Sequence, residues 1–256
     1  ITECLDNKKV VYIVPRLFEI SLSNSRIVQF EDTPAFMVDR LGLTTEQRFF
    51  KRLFDIILSV IGIVVTTPLM LVAACFVRFT SKGPVIYRQT RITEGNREFT
   101  LYKFRTMYEG SEDATGPVLS DIDDPRITSA GRILRSFRID ELPQLFNVLK
   151  GEMSFVGPRP ERPYFVEQFC KEIPEYSHRY LVKAGITGYA QIHGKYNTSP
   201  MDKLKYDLLY IKEYSLILDI KLILQSFKVL LGKKAVYQSS PDRNTWKNRS
   251  GSGRTV

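Results

Sequence analysis

Asp140 and Glu141 are adjacent carboxylates with Arg132, Arg135 and Arg138 just before them and Arg159 beyond them in a Pro158-Arg159-Pro160 turn. Carboxylates ringed by guanidinium groups suit a phosphate and a divalent metal ion. Arginine grips phosphate oxygens through two parallel N–H bonds, and a hard cation takes a carboxylate and completes its shell with phosphate oxygens. An isolated Asp-Glu pair has a simpler reading, helix capping by Asp140. The surrounding cations favour the chemical one.

These groups need elements to hold them. In residues 138–161, RIDELPQLFNVLKGEMSFVGPRPE, the side chains Leu142, Leu145, Phe146 and Leu149 recur at helical spacing, and Gly151 can end the helix. Asp140 and Glu141 then sit at its N-terminus, where Pro143 is tolerated because a first-turn residue has no intrahelical partner for the missing N–H. The free N–H groups and the helix dipole at that end are expected to keep both carboxylates ionised. Upstream, DPRITSAGRILRSFR predicts a turn at Asp124-Pro125 and a helix with Arg132, Arg135 and Arg138 along one side. A solvated basic face would show the same pattern. Residues 84–87 and 99–104 alternate apolar and polar around TEGNRE and predict a β-hairpin, with Lys103, Arg105 and Met107 projecting from its second arm. Residues 109–124 read as a mobile loop. Downstream, Gly185, Gly188 and Gly194 permit close backbone approach, although no phosphate-loop or dinucleotide fingerprint accompanies them.

Residues 56–77 run for about 22 positions without a charge, long enough to cross a bilayer. Arg48, Lys51 and Arg52 precede this run and Arg78, Lys82, Arg88 and Arg91 follow it, so both ends carry the basic flank of a cytoplasmic side. Thr66-Thr67-Pro68 lies at its middle, where proline removes one backbone bond and the hydroxyls can take up carbonyls. A re-entrant helix that breaks at Pro68 satisfies both facts; a kinked through-span and a buried soluble helix are the alternatives. Asp55, at the margin of the run, reads either as partner to a neighbouring cation or as a solvated charge. Residues 202–234 carry a lysine-rich face opposite aromatic and aliphatic residues, which suits the membrane interface or the packing of a soluble helix.

Composition bounds the rest. With 37 Lys+Arg against 28 Asp+Glu the formal charge is +9, which favours an anionic partner. No nucleic-acid module is visible, so nucleic acid is not the expected one. Cys4, Cys75 and Cys170 have no paired spacing and indicate neither disulfides nor zinc. The two histidines, His178 and His193, are too few for a His-rich metal site. Residues 8–14, KKVVYIV, read as a buried strand, so residues 1–45 look like the remnant of an upstream α/β domain plus linker. Residues 46–238 form the membrane-associated domain, and residues 239–256 a polar, disordered tail.

KRLFDI, VIYRQTR, YKFRTM, DPRIT with GR and LR, RIDELPQLFNVLKGEMSFVGPRPE and GITGYAQI with GKYN occur in this order from residue 51 to about residue 232. The chain resembles, over that length, the bacterial sugar transferases, the polyprenol-phosphate phosphoglycosyl transferases. The resemblance implies an α+β, mainly α fold: a monotopic membrane protein with a re-entrant helix-break-helix, a small β-hairpin and interfacial amphipathic helices. It implies an enzyme of the bacterial inner membrane, facing the cytoplasm, that moves a sugar phosphate from a UDP-sugar to polyprenol phosphate and so initiates exopolysaccharide, capsule or glycoconjugate synthesis. By its motif Asp140 is the nucleophile, forming a covalent phosphosugar intermediate with release of UMP, and Glu141 holds Mg2+. Lys103, Arg135 and Arg159 match positions that meet the phosphates or nucleotide, and Pro158 and Pro160 the turn shaping the uridine pocket. Thr67-Pro68 matches the helix break. Lys195 stands where many members have Arg, which removes a bidentate fork, and Ala184 and Tyr189 replace a common Pro and Trp, leaving the sugar open. Membrane lipid is an implied partner, and longer members make a homodimer compatible. From another class, the alternative is a catalytically silent membrane scaffold for a glycan-assembly complex.

Overall fold

The computed structural model describes residues 17–22, 26–30, 33–37, 41–111, 124–194 and 198–231. The strand expected at 8–14, Lys195, the tail at 239–256 and nearly all of the loop at 109–124 lie outside them. The chain divides into two units, Ile1–Gly42 and Leu43–Val256. The first has a short helix α1, Leu17–Leu22, and an antiparallel hairpin of β1, Arg26–Phe30, and β2, Thr33–Met37.

The second unit starts on a reciprocal cap. The Thr44 hydroxyl accepts from Gln47 N–H while the Gln47 side chain accepts from Thr44 N–H, opening the 36-residue helix α2, Thr45–Thr80. The chain stays helical through Pro68, so the expected break into two helices is corrected to one uninterrupted element. Thr66 and Thr67 donate their hydroxyls to the carbonyls of Gly62 and Ile63 at 2.7 and 2.6 Å. Such back-bonding bends a helix without ending it. Positions 51, 55, 59, 62, 66, 70, 73 and 77 are buried or half-buried, a spacing of three and four that draws one stripe along the helix. The other faces expose Leu53, Ile57, Val64, Val65, Leu71, Val72 and Phe79.

The buried stripe is tied down by polar groups at its N-terminal end. Lys51 Nζ reaches Asp219 Oδ2 at 2.5 Å and the Tyr210 hydroxyl at 3.0 Å, and Arg52 donates to the carbonyls of Val148 and Leu149. Asp55 is buried and accepts from Ser154 Oγ and Phe155 N–H, both at 3.0 Å. It is therefore not solvated, and among the described residues it has no ion pair with a cation. At the other end Ala73 and Val77 pack with Phe104 and Leu134.

The expected hairpin is present as β3, Ile86–Thr93, and β4, Arg97–Phe104, antiparallel with Tyr87 opposite Lys103. It turns at Glu94–Asn96, where Gly95 and Asn96 take φ of 70° and 57°. Next come α3, Ser129–Ser136, and α4, Gln144–Lys150, which ends at Gly151 with φ 85° as its position predicts. A parallel pair joins β5, Ser154–Val156, to β6, Gly185–Thr187. Between them lie α5, Pro163–Glu172, and a 3-10 segment, Pro174–Leu181. The chain closes with α6, Tyr189–His193, α7, Pro200–Lys212, and α8, Leu216–Leu231. Mostly helical with small strand pairs, the architecture is the α+β, mainly α class expected.

Two amphipathic readings are corrected. In α4 the face turned inward is Gln144, Leu145, Asn147 and Val148, whereas Phe146 is exposed and Leu142 and Leu149 are half-buried. Asn147 explains the rotation. Fully buried, it accepts from Tyr102 N–H and donates to the Thr100 carbonyl and to Glu152, locking α4 to β4. The single helical run expected at 202–234 divides at residues 213–215. Helix α7 is a core element with Leu204, Leu208, Tyr210 and Ile211 buried, and α8 alone shows exposed Ile217, Ile220, Leu224 and Phe227 beside Lys221 and Lys228.

Candidate active site

Arg138 takes a left-handed backbone, φ 54°, at the end of α3. A side-chain-bearing residue there costs about 1–2 kcal/mol, and the turn it makes sends the chain into a 3-10 turn, Ile139–Glu141, ahead of α4. Asp140 and Glu141 thus lie in that turn, while Pro143 occupies the cap position of α4. The expected place of both carboxylates at the helix N-terminus is corrected to this preceding turn, and the alternative of helix capping by Asp140 is not what the structure has.

Glu141 Oε1 accepts from Lys103 Nζ at 2.8 Å and from Arg159 Nη2 at 3.1 Å. Lys103 arrives from β4, whose distance from α4 Asn147 sets, and Arg159 from the loop after β5. Burial alone would raise the Glu141 pKa, but the two cations outweigh it and hold the carboxyl well below the usual range. Asp140 goes the other way. Only 8% exposed, it is pushed up to about 6, chiefly by burial and next by the charge of Glu141, with Lys103, Arg135 and Arg159 opposing. The expectation that both carboxylates are held strongly ionised is therefore corrected: Lys103 and Arg159 do so for Glu141 alone. Asp140 is the more basic carboxylate and the one better suited to attack.

Arg135 donates Nε to Thr106 Oγ1 at 2.9 Å and faces Asp140 electrostatically, and Arg138 does so toward Glu141. Of the three side chains expected from the second hairpin arm, only Lys103 reaches the carboxylates. Arg105 is buried and turns to Ser81 at the end of α2, and Met107 pairs with Ile127. Pro158 and Pro160 are buried and flank an Arg159 side chain that is 44% exposed.

Four successive carbonyls in that loop are held. Pro158 O accepts from Gly185 N–H at 2.9 Å, Arg159 O from Arg179 Nη2 at 3.2 Å, Pro160 O from Arg91 Nη1 at 3.0 Å and Glu161 O from Ile92 N–H at 3.1 Å. Gly157 sits against the Lys183 carbonyl and Gly185 against Gly157, so a Cβ at either would clash with backbone. Of the glycines expected to permit close backbone approach, Gly185 and Gly188 thus meet Gly157 behind the Pro-Arg-Pro turn, whereas Gly194 lies against Ala190. Arg91, Asn147 and Arg179 were not singled out as positioning groups, since nothing local marks their roles.

The family model for bacterial sugar transferases matches residues 46–233. UDP-N-acetylgalactosamine-undecaprenyl-phosphate N-acetylgalactosaminephosphotransferase of Aeromonas hydrophila is 45% identical over 186 residues, covering 72% of this chain and 44% of its own length. UDP-glucose:undecaprenyl-phosphate glucose-1-phosphate transferase of Xanthomonas campestris pv. campestris is 40% identical over 234 residues, 89% of this chain and 48% of its own length. The protein of that same name from Escherichia coli (strain K12) is 36% identical over 231 residues, 88% of this chain and 50% of its own length. The chain spans about half the length of these relatives. Asp140, Glu141, Lys103 and Arg159 all fall inside the matched residues, and the chain belongs to the bacterial sugar transferase family.

Proposed function

We propose that the protein transfers a sugar-1-phosphate from a UDP-sugar to undecaprenyl phosphate through a covalent intermediate on Asp140. The observation that carries this reading is the division between the carboxylates: Glu141 locked by Lys103 and Arg159, Asp140 buried, basic and next to those cations. Asp140 Oδ attacks the phosphorus that bears the sugar, the phosphoanhydride bond breaks, and UMP leaves with the electron pair. The acceptor phosphate then attacks the same phosphorus and expels the Asp140 carboxylate. A carboxylate nucleophile splits one difficult transfer into two. Lys103, Arg135 and Arg159 stabilise charge on the non-bridging oxygens, the main protein contribution to phosphoryl transfer. The relatives' names share the undecaprenyl acceptor and differ in the sugar, so the donor is written as a class.

Mg2+ fits the donor set. Among the described residues no three His, Cys, Asp or Glu side chains form a cage, but Mg2+ takes one or two carboxylates plus substrate phosphates and water. Lys103 and Arg159 both engage Oε1 of Glu141, which leaves Oε2 for the ion. When bound, it would neutralise diphosphate charge.

The monotopic reading is supported by α2, whose buried stripe meets one and the same domain from Lys51 to Val77 while its remaining surface is apolar and exposed. A helix attached along its length cannot cross a bilayer while the domain stays on one side. The site then faces the cytoplasm at the inner membrane, where soluble donor and lipid acceptor meet, and the product would begin an exopolysaccharide or related glycan. The test is UMP release from a UDP-sugar panel with undecaprenyl phosphate: wild type turns over, Asp140→Ala does not, and a trapped phosphosugar maps to Asp140. Equal UMP release from both proteins would falsify the proposal.

A further inference from the structure

Beneath the Pro-Arg-Pro turn lies an ion pair that the catalytic reading does not use. Arg179 and Asp207 have side chains 1% exposed each and meet at 2.8 Å between Nη2 and Oδ2. Nη1 of Arg179 donates to the Tyr176 hydroxyl, and the guanidinium lies over the Tyr176 and Tyr180 rings at 4.9 and 5.7 Å. Taking two charges out of water costs several kcal/mol per ion, and apolar residues of similar size commonly fill such a place with no loss of stability. Stability alone therefore does not account for the pair.

Its remaining contact does. Nη2 of Arg179 also donates to the backbone carbonyl of Arg159 at 3.2 Å. The neighbouring carbonyls are held by Gly185 N–H, Arg91 and Ile92 N–H, and Arg179 completes the row at the one residue whose side chain points to Glu141. Asp207, on α7, meets the same Nη2, so the core helix is linked through two side chains to the backbone of a site cation. We propose that Arg179, oriented by Asp207, is a positioning residue that sets Arg159 for the donor diphosphate. This rests on the phosphoryl-transfer reading above.

The test is a double-mutant cycle on the 256-residue chain in lipid nanodiscs. Arg179→Met/Asp207→Leu removes the pair without leaving a lone buried charge, and Arg179→Lys keeps the charge but loses the planar guanidinium whose Nη2 meets carboxylate and carbonyl while Nη1 holds the Tyr176 hydroxyl. Each is made alone and with Arg159→Ala, and kcat/KM for UMP release, UDP affinity and Tm are measured. Expected with Arg159 present is a loss of about 100-fold in kcat/KM, the scale of a 1 Å misplacement, and weaker UDP binding. With Arg159→Ala already in place the same changes cost less than about 2-fold, because nothing remains to be positioned. A purely structural role would give equal losses in both backgrounds, which overturns the inference, as does wild-type kcat/KM in a folded variant. Should the Met/Leu protein fail to fold, Arg179→Lys carries the cycle. If wild type itself releases no UMP, the catalytic reading fails, and UDP affinity still decides this one: Arg179 variants that bind UDP as wild type does would refute it.

Discussion

Replacing Asp140 by Asn is expected to abolish turnover and to stabilise the fold above pH 6. The Asp140 carboxyl has its pKa raised from 3.8 to about 6 by burial and by Glu141, so the folded protein holds its proton more tightly than the unfolded chain does. Between pH 4 and 6 the folded state therefore binds more protons, and stability falls as pH rises through that window. At about 1.36 kcal/mol per pKa unit, the penalty at pH 8 is on the order of 3 kcal/mol. Asn keeps the shape and carries no charge, so it escapes the penalty while its amide keeps a smaller burial cost. For a protein of this size each kcal/mol moves Tm by about 2–4 °C, which gives about 5–10 °C at pH 8. The assay is thermal unfolding of both proteins in one detergent from pH 4 to pH 8. Glu141 contributes stability of the opposite pH sign, and because the two carboxylates interact the difference between the proteins reports Asp140 together with its coupling to Glu141. A Tm difference that is zero at pH 8, or that is as large at pH 4 as at pH 8, would refute the reasoning.

The same raised pKa predicts that kcat/KM for UMP release falls about tenfold per pH unit below about pH 6, since the attacking group must be ionised; a flat profile down to pH 5 would remove Asp140 as nucleophile. Asn147→Ala leaves the Tyr102 N–H and the Thr100 carbonyl without their partner and is expected to destabilise by roughly 2–4 kcal/mol in thermal or denaturant unfolding. Labels at Arg48 and Lys82, the two ends of the apolar run, should react from one side of sealed vesicles only, and labelling from opposite sides would show a through-span.

Much of the site is local in origin and so was legible. The carboxylate pair, the Pro-Arg-Pro turn, the hairpin and the glycine that ends α4 each depend on residues close in sequence. What escaped depends on contacts between distant segments. Phe146 sits at an apolar helical position yet is exposed, because Asn147 bonds to β4 and rotates the helix; periodicity sees polarity and not partners. Asp55 read as a marginal charge because its partner, the Ser154–Phe155 backbone and hydroxyl, lies about 100 residues away. The Asp140 pKa was misjudged in direction, since the helix-end field is visible in sequence and burial is not. Nothing near Arg179 in sequence marks it, and only its position in space shows that it is buried against Asp207.

The stripe along α2 bears on what could ever be cut away. A domain merely tethered to the bilayer can be released by proteolysis or by deleting its anchor. Here the apolar helix supplies Lys51 to Asp219, Asp55 to β5 and Arg52 to carbonyls in the last turn of the helix that follows Asp140. Severing it would leave a buried carboxylate uncompensated, a loss of about 3–5 kcal/mol by itself, and would unfasten the helix that follows the Asp140 turn. The long apolar helix is a wall of the domain that carries the site. A form lacking this helix would lose those contacts along with its apolar face, so, on the proposed function, activity and attachment are expected to be lost together.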